Sequence, residues 1–536
     1  DSGYMGLAQI DMIREDYANG LDHIDRSLYR NWLNHKGRQL KVSFLRKTGD
    51  FAKAEALIND SLAMDKFNMG CRFESYLIHT LQGNTEAAAA AKAEMKALMR
   101  GAVHSYLEYA IDYASAGMYE EAAQLLSFVT EENEATYPMV YYALGYFASK
   151  MGKKDEALNL YKKAETMCPD YCFPNKLEEV LMLNDAMSLN PEGAKAPYYL
   201  GNFHYAARIY DEAIACWEKS ASIDDTYPTV LRNLSLAYYN KQHNPQKALA
   251  TLEKAYNLDT TDARILMELD QLYKKLRYPH RQRLDFLEAH ADVVEQRDDL
   301  CIERITLYNQ LGEYQKAYDL INSRKFHPWE GGEGKVTSQY LLCRVELAKI
   351  AIREGRFADA VRLLKETEKY PDNLGEGKLS MAEENDIHYW MGCAYEGLGE
   401  EALAKEYFTK ATKGSAEPAI AFFYNDQQPD KIFYQGLAWR KLGEEDKARS
   451  RFNRLIKHGE KHLFDKVKID YFAVSLPDLL IWDDDLNVRN QIHCNLVMGM
   501  GYLGLGDKEQ ARKFLSEVAR LDINHQAGKQ LLEMCG

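Results

Sequence analysis

The feature that most restricts this chain is a short pattern that keeps returning: a Gly, an aromatic or charged pair, then an Ala, all set in helical text. It reads Gly49-Asp50-Phe51 to Ala54, Gly117-Met118-Tyr119 to Ala122, Gly152-Lys153-Lys154 to Ala157, Gly312-Glu313-Tyr314 to Ala317 and Gly355-Arg356-Phe357 to Ala360. It returns before Ala404, Ala448 and Ala511. With the Ala as register mark, Ala54, Ala88, Ala122 and Ala157 are separated by 34, 34 and 35 residues. Ala213 to Ala248 is 35 again, and Ala248 to Ala317 is 69, room for two units. A fixed period of this length marks one helix–turn–helix unit stacked on copies of itself. Each unit then buries its apolar face against its neighbours, so length does not count domains.

The local spelling agrees. In Tyr141-Tyr142-Ala143-Leu144-Gly145-Tyr146-Phe147-Ala148, Leu144, Gly145 and Ala148 share one helical face. Gly145, like Gly201, Gly392, Gly436 and Gly499, removes a side chain where two helices approach. Ala157, Tyr161 and Ala164 then form a small–large–small stripe on the second helix. This pattern resembles the tetratricopeptide repeat family, best over 138–170, 194–227, 385–414, 429–458 and 492–522. The resemblance covers nearly the whole chain. It implies an all-α tetratricopeptide solenoid of about 12 repeats, wound as a right-handed superhelix with inserted loops. A narrower likeness rests on Cys172-Phe173-Pro174-Asn175, Ala196-Pro197-Tyr198-Tyr199-Leu200-Gly201-Asn202, Phe326-His327-Pro328-Trp329-Glu330-Gly331-Gly332-Glu333-Gly334-Lys335 and Phe472-Ala473-Val474-Ser475-Leu476-Pro477-Asp478. These look like the C-terminal half of large bacterial proteins of unknown function, in which a β-rich domain similar to carbohydrate-active enzymes precedes a tetratricopeptide array. The start at Asp1, without an initiator Met, fits an excised or processed piece.

The register also shows where the array is interrupted. Ala157 to Ala213 spans 56 residues, and the excess holds Pro174 and the apolar run Leu177, Val180, Leu181, Leu183. It reads as an added helix at a joint over 171–193, between an N-terminal array at 1–170 and a longer one at 194–536. After Ala317, Ala360 and Ala404 the spacings become 43, 44 and 44. The extra residues fall near 325–337, 370–384 and 415–430. A larger insertion near 458–490 brings Trp482 and Asp483-Asp484-Asp485.

Two inserts share Gly-Glu-Gly-Lys, at 332–335 and 375–378, and stacking would set equivalent loops side by side. The candidate binding edge is therefore His327, Trp329, Glu330, Glu333 and Lys335 from the first insert, Asp372, Asn373, Glu376 and Lys378 from the second, and Asn425 and Asp426 from the third. The competing account is structural. Glycines close tight turns, while the aromatics and Leu374 pin each loop to its own repeat. The resemblance further implies that first helices line an inner groove, with Tyr142, Tyr146, Lys195, Tyr198, Asn202, Tyr205, Arg232 and Tyr239 facing it. Family members that clamp a peptide C-terminus use Lys, Arg and Asn at such places, and Lys195, Asn202 and Arg232 match in type. Tyrosines fill most other positions, and aromatic faces suit extended peptides or sugars.

Several chemistries are excluded. A net charge of −14 argues against nucleic acid or an anionic membrane surface as partner. No apolar run approaches a bilayer span, and residues 1–30 carry no signal-peptide pattern. Nine cysteines favour free thiols and a reducing, cytoplasmic setting. Cys168 and Cys172 have no second Cys/His pair nearby to complete a metal site. Glu333-Gly334-Lys335 is not a phosphate loop, because Val336 follows the Lys and Trp329 stands where the leading Gly belongs. His458 and His462 share a helix face, but Gly459 replaces the Glu of a zinc protease. Asp483 to Asp485 lack the alternation and the Gly of a calcium loop.

The expectation is a chain with no catalytic residue, cofactor or metal. It would be an interaction scaffold for a protein partner or for a domain of its own missing upstream. The narrower likeness implies a second reading, an accessory module that helps form a carbohydrate-active enzyme's sugar site. A structural spacer or dimerisation arm is a third.

Overall fold

Every register alanine, Ala54, Ala88, Ala122, Ala157, Ala213, Ala248, Ala317, Ala360, Ala404, Ala448 and Ala511, is buried. The computed structural model describes residues 2–130, 137–329, 331–380, 382–419, 427–467 and 481–536. Among the described residues there are 29 α-helices, one 3-10 turn and no strand, the elements of an all-α helical-repeat solenoid. The glycine of the signature ends the first helix of a hairpin. Gly443, after Pro429–Lys441, has φ +79, a left-handed value that costs a residue with a Cβ.

Inside each hairpin a second glycine sets how closely the helices approach. A Cβ on Gly145 would lie 2.5 Å from the Tyr161 ring, on Gly201 2.5 Å from Trp217, on Gly392 2.6 Å from Phe408 and on Gly436 2.4 Å from Phe452. In each pair the large residue stands 16 positions after the glycine, the same knob in the same hole. Gly436→Ala is therefore expected to destabilise. Overpacking costs about 1–3 kcal/mol, more than the roughly 0.5–1 kcal/mol gained by removing a mid-helix glycine. Adding Phe452→Leu should restore much of the loss. Urea unfolding of the single and double variants checks this, and equal midpoints for Gly436→Ala and the parent would refute it.

Two compact units divide between Leu234 and Ser235, and the 171–193 segment lies inside the first. The added helix read from its apolar run exists, as Leu177–Leu189, packed on Pro138–Lys150 and Lys195–Ala206. Glu179 begins it by accepting from the Asn175 and Lys176 backbone N–H groups at 2.7 and 2.9 Å. At the core of this unit the Arg46 guanidinium donates to Glu74 at 2.6 Å and to Glu121 at 3.1 Å, and Glu74 also accepts from Ser43 and Tyr113.

In the second unit the chain returns on itself. The end of the last insertion crosses to helices laid down far earlier. Trp482 is 2% exposed, and its indole N–H donates to the Glu268 carbonyl at 3.1 Å. Asn240 clamps the strap on both sides of Trp482, donating to Ile481 O at 2.9 Å and accepting from Asp483 N at 2.8 Å. The three aspartates are accounted for: Asp483 faces Lys241, Asp484 pairs with Lys275 at 3.0 Å, and Asp485 caps Leu486–Leu505 through Asn487 N. The chain's end closes a second seam. Arg277 donates to the carbonyls of Arg520 and Leu521, Gln310 donates to Asn524 O, and Gln339 bonds Gln526. Each such bond contributes about 0.5–1.5 kcal/mol net.

Candidate functional site

The structure brings the first two inserts together, largely by spending their polar groups on each other. The Asn373 side-chain amide donates to Ile321 O and Arg324 O at 2.8 and 2.9 Å, while the Asn373 backbone carbonyl accepts from Phe326 N. Glu376 accepts from the Gly334 N–H at 3.0 Å and from the Thr337 hydroxyl at 3.3 Å. It thus caps, from the next repeat, the helix Lys335–Arg353. A carboxylate there meets the positive end of the helix dipole. That helix starts inside the insert expected to run to 337, so part of the insertion lengthens a first helix to 19 residues. Lys378 binds Glu384 at 2.5 Å and donates to Glu368 O.

Asn373, Glu376 and Lys378 therefore fasten the loops to one another, and Glu376 and Lys378 also line the cleft between them. Trp329 is half-buried over Gly332, where a Cβ would strike its ring at 2.0 Å. His327 is exposed and bonds Asp298 through its backbone N–H at 2.8 Å. Asp372 is exposed, and with Lys325, His327 and Lys369 it edges an open cleft of about 670 Å³ between the inserts. Glu330, Asn425 and Asp426 lie outside the described residues.

Glu333 and Lys335 sit instead on the rim of a different concavity, on the inner face of the second unit. This cavity of about 590 Å³ has a floor of Leu341, Val345, Phe433, Tyr434, Met500 and Leu531. Its walls come from the helices Lys335–Arg353, Pro429–Lys441, Leu486–Leu505 and Gln526–Met534. Two paired lysines hold its polar side. Lys349 meets Glu346 at 2.7 Å and lies 5.5 Å from the Trp390 ring centre, and Lys431 meets Asp386 at 2.6 Å and Asp430 at 3.3 Å. Burial raises the Asp430 carboxyl in spite of Lys431, and Asp386 beside it adds to the rise. Burial opposes the charge on Lys431, but the two aspartates outweigh it and hold the ammonium firmly protonated. An adjoining cavity of about 620 Å³ shares Gln428, Asp430, Met500 and Ala527 and reaches Arg277 and Asn524.

The groove residues expected in the N-terminal half divide by register. Tyr142 and Tyr198 stand three positions before a helix glycine, and both are buried, at 0% and 4% exposure. That spacing puts them on the glycine's own face, toward the partner helix. Tyr142 donates to Glu165 at 2.8 Å. Their expected groove-facing place is corrected. Tyr146, one position after the glycine, is half-buried under Lys150 at 5.0 Å. Asn202, at the same register, accepts from the Trp217 indole at 3.1 Å, and Lys195 donates to Glu165 O. Tyr205 packs on Trp217, Arg232 donates to Asn233, and Tyr239 packs against Trp482.

Phe433, Tyr434, Lys431 and Met500 were missed. Helical periodicity places them in first helices, and only the closing of the second unit makes those helices walls. Met500 nevertheless occupies the register of Tyr146 and Asn202, one after the glycine, and that signal was available. All nine cysteines are free, and no cluster among the described residues could hold a metal ion. None of the described helices is long and apolar enough to cross a membrane.

Residues 140–171 and 386–413 match one tetratricopeptide-repeat model, and 432–458 match another. Among solved structures, the chain is similar to one described as the anaphase-promoting complex hetero-tetramer Cut9–Hcn1, at 12% identity over 98% of this chain and 95% of that one, TM-score 0.26. It is also similar to PilF of Pseudomonas aeruginosa, at 19% identity over 41% and 90%, TM-score 0.25. A third is YrrB, described as a repeat protein of this kind with an unusual peptide-binding site, at 15% identity over 45% and 95%, TM-score 0.17. The repeat assignment rests on the matched stretches and on the register of this chain's own glycines and alanines.

Proposed function

From a chain built of tetratricopeptide repeats, we propose an interaction scaffold whose second unit holds an extended segment of a protein partner in its inner-face cavity. Tetratricopeptide proteins are in general non-catalytic scaffolds. The observation that carries the reading is the floor of Leu341, Val345, Phe433, Tyr434, Met500 and Leu531 beneath a rim of fixed charge pairs. Ligand sites are concave, mostly apolar, roughly 300–1,000 Å³, with a few placed polar groups. The apolar floor would take side chains of the segment. In this reading Glu333 and Lys335 guard the rim, and His327 and Asp372 serve the neighbouring cleft rather than the peptide.

The test is selection of decapeptides from a random display library against the full chain, followed by titration of those enriched. Ala527→Trp fills both adjoining cavities, and Tyr434→Ala removes part of the floor. Each should weaken the enriched peptides at least about tenfold, equivalent to roughly 1.4 kcal/mol. Undiminished binding to Ala527→Trp, or no enrichment at all, would sink the proposal.

A further inference from the structure

The inner-face cavity is closed by a wall that is itself hydrogen-bonded across a seam. The terminal hairpin, Lys508–Leu521 and Gln526–Met534, is held to the helices before it by apolar groups: Val518, Leu515 and Leu531 belong to one buried cluster with Phe452 of Glu445–His462 and Met500 of Leu486–Leu505. Its meeting with the start of the unit is of another kind. Arg277 donates to Arg520 O at 2.9 Å and Leu521 O at 2.7 Å. Asn524 bonds Lys274 O, His280 and Gln310, and also lies within 3.4 Å of Arg283. Gln339 and Gln526 exchange amide bonds at 2.9 and 3.1 Å, and Lys529 donates to Gln310 O.

Such bonds are readily replaced by bonds to water, whereas a separated apolar interface is not. The strap that fixes the start of Leu486–Leu505, the helix on which this hairpin packs, is apolar, with Trp482 buried against Tyr239. One closure of the unit is therefore cheap to open and the other dear. The cheap one borders the cavity, since Gln339, Gln526, Gln530, Leu531 and Met534 all line it.

We propose that the terminal hairpin is a gate to the cavity, swinging off the helices Ala263–Lys275, Asp298–Gln310 and Lys335–Arg353 about its apolar contact with Leu486–Leu505 to admit a peptide. This rests on the peptide-binding reading above. Opening uncovers the apolar floor, and the Gln339–Gln526 bonds re-form over a segment once it is inside. Entry is then limited by opening, and a bound segment is released only as fast as the seam parts.

The experiment places cysteines on both sides of the seam, Arg353→Cys and Glu533→Cys, in a full chain whose exposed Cys168 is replaced by Ser. Spin labels at the two sites read the distance across the seam with no peptide present. Asn524→Ala, or Gln526→Ala where the first variant folds poorly, should enlarge a longer-distance population at least threefold. A single unshifted distance in both variants overturns the gate, whether or not any peptide binds. Bridging the two thiols with a short cross-linker should slow association of the tightest selected decapeptide at least tenfold. Bridging after loading should slow its release by a similar factor. Unchanged rates in the bridged protein also overturn the gate. Seam opening without binding of any peptide to the unbridged protein would instead overturn the cavity reading and leave the moving hairpin standing.

Discussion

Trp482→Ala is expected to cost the second unit about 3–5 kcal/mol, the range for truncating a buried Trp. The ring is 2% exposed and lies 5.2 Å from Tyr239, and its N–H satisfies the Glu268 carbonyl. Truncation leaves a cavity and removes the second hydrogen bond of a carbonyl that also accepts within its own helix. It also frees one of the places where the end of this unit is tied to its beginning. Trp482→Phe separates the contributions, because it keeps a ring but deletes the donor, a loss of about 0.5–1.5 kcal/mol. Denaturant unfolding followed by hydrogen exchange of the 235–536 helices measures both. A shift below 1 kcal/mol for Trp482→Ala would show that the strap does not hold the unit closed.

Arg283→Met should be comparably severe, about 3–5 kcal/mol near neutral pH, because it strands buried charge. The guanidinium is 1% exposed and reaches Asp270 at 2.7 Å and Glu303 at 2.8 Å, with Lys274 on the far side of Glu303. Burial pushes both carboxyls up. At Glu303, Lys274 and Arg283 overcome it and hold the group well below the ordinary carboxylate range, whereas at Asp270 burial prevails. Without Arg283 a carboxyl must take up a proton to stay buried, so its folded pKa lies above its unfolded one. The folded state then binds more protons than the unfolded state, and the variant regains stability as pH falls through the folded pKa. Unfolding midpoints between pH 7 and 5 should therefore approach the parent's. A deficit that is constant across this window, or one that Asp270→Asn fails to relieve at pH 7, would contradict the assignment.

The fold was legible wherever glycine and alanine kept register. It faded where the turn retained its shape but changed its residue. Arg208 stands five before Ala213 with φ +64, and His243 five before Ala248 with φ +51, in the place glycine takes elsewhere. A side chain in the left-handed region costs of order 1–3 kcal/mol and leaves no trace in composition. Glu15, with φ +59, stands five before Gly20, so the first hairpin uses the turn with neither the glycine nor the alanine. Arg277 at φ +61 is a similar case, and its guanidinium ties the seam.

The inserts were found by counting, but what their side chains do was not. Glu376 belongs to one repeat and caps the helix of another, a relation fixed by stacking rather than by spacing within either string. The cavity was harder still to foresee, since Leu341 and Leu531 become opposite walls only after the chain's end meets its middle.

That meeting sets a copy number. An open array tolerates a repeat duplicated or lost, since each unit answers only to its neighbours. Between Arg277 and Arg520 this one does not: an added hairpin would carry the Leu521 carbonyl away from its guanidinium and Asn524 away from Lys274, with nothing to replace them. Lineages of this protein are thus expected to vary their hairpin number in the first unit and to vary only loop length in the second. The same constraint tells an engineer where a domain can be spliced in without unlocking the fold.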